Sequence, residues 1–340
     1  MSQQQQHDYR QIAAYLLDQV IPASRRPVIG IICGSGLSGL SATMTDTISV
    51  PFKSIPGFPL PTVAGHSAEL VFGVLAGVNA VCLRGRFHSY EGYSIQTVVP
   101  LPVRVMRCIG VKMVIVTNAA GGLNPDYNVG DVVCVMDHLA LPMLSGFNPL
   151  IGKNDDELGP RFPPTSNCYD EKLQEKVLES ASSLGMDFVR KDGQYCFVSG
   201  PQYESKAECR FLRSCGGDCV GMSTIPEVVA AHHCGMKVLC LSLVTNKVIT
   251  KGDEGPAASH QEVLDAVNQR SEQLQEIVKE FVKTSKSYLE SLPELKAITL
   301  PKYKKPLSRC KTCGLPHLYV KIGITVAVTA AFAMRLRMAK

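Results

Sequence analysis

Short apolar runs with little polar alternation recur along this chain, at 27–33, 70–75, 79–84, 111–117, 131–136, 195–199 and 237–244. A strand with one face in water alternates apolar and polar residues. A strand covered on both faces reads as a continuous Val/Ile/Leu run. Helical spacing fills the gaps, at 9–20, 171–184, 204–215 and 225–234. Covered strands mixed with helices predict an α/β fold, a sheet with helices on its faces. A last helix follows. Ser259 and Glu262 form an S-x-x-E capping box, and Val263, Leu264, Val267, Leu274, Val278, Phe281 and Val282 make one apolar stripe. No long linker interrupts the chain before about residue 290, so 1–292 reads as one domain and 293–340 as a tail.

Charge narrows the partners. The net charge is +5, but from Pro301 onward there are nine Lys or Arg and no Asp or Glu, which leaves the first 300 residues at −4. A body of that sign lacks the basic surface that nucleic-acid binding needs. The 13 Cys are an odd number, many inside apolar runs. Together with an N-terminus that lacks a secretory pattern, they predict free thiols in a reducing, cytoplasmic setting.

Gly34, Gly36 and Gly39 in "CGSGLSGL" spell G-x-G-x-x-G after an apolar run. A dinucleotide site wants an acidic residue about 20 positions on, to hold the ribose hydroxyls. Residues 47–68 contain no Asp or Glu. What remains is a tight turn or a loop for a single anion, with backbone N–H groups and the Ser35 hydroxyl as donors. In "RGRFHSYEGY", Arg86, His88 and Tyr90 share one face if the strand from 79 continues. Arg suits a phosphate and Tyr a hydroxyl. "TNAAGGLNP" has small side chains that let a ligand approach the backbone around Ala119. "GPQYES" offers an aromatic face, Tyr203, beside a carboxylate, Glu204. "GMSTIPE" reads as a helix start with Ser223 or Thr224 capping, which is also an anion site. "LVTNKV" ends a buried strand in Thr245 and Asn246, whose amide both donates and accepts.

In this order, and with "AGH" (His66), "RFP" (Phe162) and "SHQEVL" (His260), these segments resemble the trimeric, 6-oxopurine-preferring purine nucleoside phosphorylases over about residues 25–285. The resemblance implies a single α/β domain with a mixed, distorted β-barrel-like sheet flanked by helices. It implies phosphorolysis of purine ribo- and deoxyribonucleosides in purine salvage, by a homotrimer. No metal or organic cofactor is implied; inorganic phosphate is a co-substrate. Carried over, phosphate is held by Ser35, Arg86, His88, Ala119 and Ser223, with His66 beside it. The sugar meets Tyr90, Met222 and His260, and Phe162 from a neighbouring subunit. Tyr203 stacks on the base, Glu204 accepts from N1–H, and Asn246 donates towards O6 and N7. Tyr195, Val220, Gly221, Thr245 and Val248 complete the base pocket. Asn246, Glu204, His260 and His88 are the implied catalytic residues. Asn rather than Asp at 246 points to inosine and guanosine over adenosine. Two positions depart from the mammalian pattern: Tyr203 stands where Phe is usual, and Gln202 where Ser is common. An oxidoreductase is disfavoured by the missing carboxylate, and a water-using nucleosidase would not need four phosphate contacts.

The Gly-rich stretch 252–260 is a lid candidate. In the tail, Cys310, Cys313 and His317 offer one ligand fewer than structural zinc usually takes. The apolar stretch 318–334, interrupted by Lys321, is at the short edge for a membrane anchor.

Overall fold

The computed structural model describes residues 8–34, 38–63, 67–250 and 259–303. Nine strands form one sheet: β1 (Ile29–Ile32), β2 (Thr45–Pro51), β3 (Glu69–Leu75), β4 (Val78–Arg84), β5 (Met113–Gly122), β6 (Val132–Ala140), β7 (Val189–Phe197), β8 (Cys219–Gly221) and β9 (Lys237–Lys247). Their order is β2-β3-β4-β1-β5-β8-β7-β6-β9, and β9 also pairs with β5. That second pairing closes β5, β8, β7, β6 and β9 into a five-stranded ring of mixed direction. The other strands extend from it as an open sheet. The expected α/β fold with a barrel-like mixed sheet is the one observed.

Helices cover both faces: α1 (Tyr9–Gln19), α2 (Leu101–Cys108), α3 (Leu141–Leu144), α4 (Glu171–Ser183), α5 (Lys206–Ser214), α6 (Ile225–His233), α7 (His260–Thr284) and α8 (Lys286–Glu290). The capping box of α7 forms as its spacing predicts. Ser259 Oγ accepts from Glu262 N, and the Glu262 carboxylate accepts from Ser259 N, both at 3.3 Å. Val267, Leu274, Val278, Phe281 and Val282 are buried, sharing a core with Ile29 and Ile31 of β1 and Leu239 and Leu241 of β9. A second core packs the other face, around Val81, Val114, Val116 and Val228. Covered on both sides, β1 is buried at all four residues, which is why it shows no alternation.

The body runs further than expected. By compactness it reaches Pro301, so 293–301 belongs to it rather than to the tail that starts at 293 in the sequence reading. The reason is packing and anchoring. Leu295, Ile298 and Leu300 lie on the core. Thr299 is tied to Glu157 through N–H at 3.0 Å and Oγ1 at 2.7 Å, and its carbonyl accepts from Arg10 at 2.7 Å. The second unit, Lys302–Lys340, lies outside the described residues beyond 303, and with it Cys310, Cys313, His317 and 318–334. Among the described residues no helix is long and apolar enough to cross a membrane.

Candidate active site

The parallel strands β4, β1, β5 and β9 end on one side of the sheet, the side where open α/β sheets take ligands. A cavity of about 420 Å³ opens there. One end is polar and cationic. Arg86, two residues past β4, is only 2% exposed. Its fork is fixed by Ser223 Oγ at 2.8 Å, Thr224 Oγ1 at 3.3 Å, the Thr117 carbonyl at 3.1 Å and the Glu227 carboxylate at 3.2 Å. Its Nε–H is buried with no acceptor among the described residues. Arg86 lines the cavity beside His88 and Ser223, a cationic guanidinium with polar neighbours of the kind that suits an anion.

The backbone is strained where it presents Ser223. Thr224 sits at φ 78°, ψ −57°, and the Ile225 N–H reaches back to the Ser223 carbonyl at 2.9 Å. This is a positive-φ γ-turn, rare for a β-branched residue, and costs on the order of 1–3 kcal/mol. Thr224 Oγ1 is held by Asn118 Nδ2 at 2.9 Å and lies 3.1 Å from Ser223 Oγ. Gly34, at the end of β1, crosses β5 so closely that a Cβ would lie 2.7 Å from Asn118 Cα. Only glycine tolerates that approach to the β5 backbone.

His88 is held by a carboxylate that sequence reasoning missed. Glu91 accepts from His88 Nδ1 and from the His88 backbone N–H, each at 2.9 Å, and from Thr62 N and Oγ1, each at 2.6 Å. Burial pushes the Glu91 carboxyl up, but these bonds outweigh it and bring it to about 2. Burial pushes the His88 imidazolium down, with Glu91 opposing and Arg86 adding to the effect. His88 is therefore a neutral ring near pH 7, with its proton on Nδ1. It stacks on Tyr90 at 4.6 Å. The strand does not continue through 90 as alternation assumed. β4 ends at Arg84, and a 3₁₀ turn, Ser89–Glu91, carries Tyr90 to the cavity by another path.

The other end suits a planar heterocycle. Tyr203, Glu204, Val220, Gly221, Asn246 and Val248 line it. Burial raises the Glu204 carboxyl, with Glu208 adding to it. Thr245 and Asn246 both face the cavity, which regular alternation along β9 forbids. A bulge explains it: Ala120 pairs with Val244 but Gly121 with Asn246, so Thr245 is the extra residue. Thr245 Oγ1 lies 3.3 Å from Asn246 Oδ1, which leaves Nδ2 as the donor the amide offers.

A sequence model of the phosphorylase superfamily matches residues 28–283. Purine nucleoside phosphorylase of Bos taurus is 45% identical over 271 residues, 80% of this chain and 92% of the bovine one. The chain belongs to the purine nucleoside phosphorylase family. The Schistosoma mansoni enzyme of that name has been solved with inosine (41% identity, TM-score 0.77, 86% of this chain and 100% of that one). It has also been solved with adenosine (42%, TM-score 0.77, 84% and 97%).

Most residues that the purine nucleoside phosphorylase resemblance singled out line the one cavity: Arg86, His88, Tyr90, Ala119, Met222 and Ser223 with the base-end group. Some are described only in part or not at all. Ser35, His66 and most of 252–260 lie outside the described residues, and for His260 only its place at the start of α7 is described. Val263, one turn along α7, does line the cavity. Two expected contacts are elsewhere in this chain. Tyr195 is wholly buried and stands behind the wall; its hydroxyl backs Gly221 so closely that a Cβ there would lie 2.3 Å away. Phe162 is 86% exposed and lines a different hollow, with His138 and Ile151. Glu91, Thr62 and Glu227 were missed. The three-residue spacing of His88 and Glu91 was the only signal for the first.

The raised Glu204 carboxyl has a consequence for pH. In the role the family resemblance implies, Glu204 accepts N1–H best as a carboxylate, so the expected result is that kcat/KM falls as pH drops through its folded value. That value lies above the ordinary 4.5. Glu204→Gln removes this acidic limb from the pH profile, and an unchanged limb contradicts the assignment.

Proposed function

We propose that the enzyme takes 6-oxopurine nucleosides, the inosine and guanosine class, within the reaction of its family: phosphorolysis of a purine (deoxy)ribonucleoside to free base and (deoxy)ribose 1-phosphate. The observation that carries this reading is a single cavity with an anion end and a base end. Arg86, His88 and Ser223 line one end; Glu204 and Asn246 stand at the other. Phosphate sits against Arg86, His88, Ser223 and the Ala119 backbone, joined by Ser35, with His66 beside it. The sugar lies between, at Tyr90, Met222 and His260. The base stacks near Tyr203.

As the glycosidic bond breaks, the sugar gains oxocarbenium character and phosphate captures C1′. The electron pair leaves with the purine, whose ring becomes anionic. Asn246 Nδ2 bonds that anion more strongly than the neutral nucleoside, a differential gain in the transition state. Glu204 fixes the N1–H edge. The scheme uses inorganic phosphate as co-substrate and no metal or organic cofactor.

Position 246 sets the base class. A neutral amide donates to a 6-oxo group, whereas a carboxylate there would repel it and accept from a 6-amino group. Asn246→Asp raises the ratio of adenosine to inosine turnover; an unchanged ratio overturns the preference.

We place the working enzyme in the cytoplasm as a homotrimer in which Phe162 closes the sugar side of a neighbour's cavity. Support comes from the exposed apolar group Leu144, Phe147, Ile151 and Phe162, and from 11 described cysteines that are all free thiols. Light scattering that gives the mass of one chain overturns the assembly.

A further inference from the structure

Behind the anion end lies a second carboxylate that the scheme above leaves idle. Glu227, in the first turn of α6, is 1% exposed and does not line the cavity. Its close ionic contact is Arg86 Nη2, at 3.2 Å, with both side chains 2% exposed. Arg86 therefore stands between Glu227 on one side and the cavity on the other, its Nε–H unmet. Thr224, in its strained turn, and Thr117 hold the same fork in place.

We infer that Glu227 is the resting counter-ion of Arg86 and takes up a proton from solvent when a dianion seats on Arg86. Glu227 is a positioning residue here: it acts through Arg86 and touches no substrate. The inference rests on the reading of this end as the phosphate site.

The physical case is one of charge. In the empty site Arg86 and Glu227 neutralise each other out of water. A seated dianion adds two negative charges to one guanidinium in a buried setting, where like charges cannot all persist. Either the dianion binds weakly or a nearby group takes a proton. Glu227 is prepared for that. Burial raises its carboxyl, Arg86 opposes this, and the Thr224 N–H opposes it further. From β9 it faces the Cys240 thiol, which burial keeps protonated. Among the described residues Arg86 is the one cation that offsets it. The competing acceptor is His88, already neutral, held by Glu91 on its Nδ1 side and repelled by Arg86.

Sulfate tests this on the intact enzyme, because it stays a dianion across the working pH range and carries no proton of its own. Its binding is titrated calorimetrically near pH 7 in two buffers of different ionisation enthalpy. The wild type takes up about one proton per sulfate bound; Glu227→Gln, which keeps the shape and removes the charge, takes up none. Equal uptake in both proteins places the proton elsewhere, on His88, and overturns the inference. So does sulfate binding without uptake in the wild type. Failure of sulfate to bind at all overturns the phosphate-site reading, and the inference with it. The wild type alone also suffices, should the variant fold poorly. Its infrared difference spectrum on sulfate binding must show a carboxylate converting to a protonated carboxyl, and the absence of that change overturns the inference.

Discussion

Asn246→Ala lowers kcat/KM for inosine by about 10²–10³, the range for losing one donor aimed at developing charge. In the proposed mechanism the amide bonds the departing purine anion more strongly than the bound nucleoside, so the expected loss falls mainly on kcat. The geometry behind the number is the bulge at Thr245, which turns two consecutive side chains into the cavity. Thr245 then engages Oδ1, at 3.3 Å, and leaves Nδ2 to donate. A drop confined to KM would mean that Asn246 only binds the base. Unchanged steady-state kinetics would remove it from the mechanism.

Arg86→Met has two consequences that can be measured separately. It removes the guanidinium that the proposed function sets against phosphate, so turnover no longer saturates at ordinary phosphate concentrations. It also leaves Glu227 buried beside no cation, which costs about 3–5 kcal/mol of stability. Urea unfolding reads the second effect. Adding Glu227→Gln on top of Arg86→Met recovers most of the lost stability and none of the activity, because the two residues are one charge pair and of the two only Arg86 lines the cavity. Additive stability losses in the double variant would contradict the pairing.

The fold class and several cavity residues were legible in local pattern, whereas the individual site roles came only with the family resemblance. The runs that became β1, β4, β5 and β9 are apolar for the plain reason that both sheet faces are covered, and the Ser259–Glu262 box marked the start of α7. Elements that depend on partners were not legible. β2 is an edge strand, mostly exposed, with the polar sequence "TDTISVP". β8 has three residues and owes its existence to β5 and β7 on either side. The bulge at Thr245 is a matter of register between strands more than 100 residues apart, and no local spacing encodes it.

The same division runs through the site. Arg86, His88, Glu204 and Asn246 stood out through chemistry suited to a ligand. Glu91 and Glu227 serve other side chains rather than substrate. In the sequence one is an unremarked residue of "SYEGY" and the other an ordinary first-turn glutamate of α6. Their roles appear only once tertiary contacts set a carboxylate against His88 and another against Arg86. At the glycines the spacing alone misleads, and the absence of Asp or Glu from 47–68 sets the dinucleotide reading aside. The spacing matched a dinucleotide fingerprint, yet what the structure uses at Gly34 is close passage over Asn118.

The most direct test is to incubate the purified chain with inosine, with and without inorganic phosphate, and to follow hypoxanthine and sugar phosphate together. The account predicts that hypoxanthine forms only when phosphate is present, with one ribose 1-phosphate for each base released. Hypoxanthine released at the same rate without phosphate, with free ribose as the other product, would contradict it.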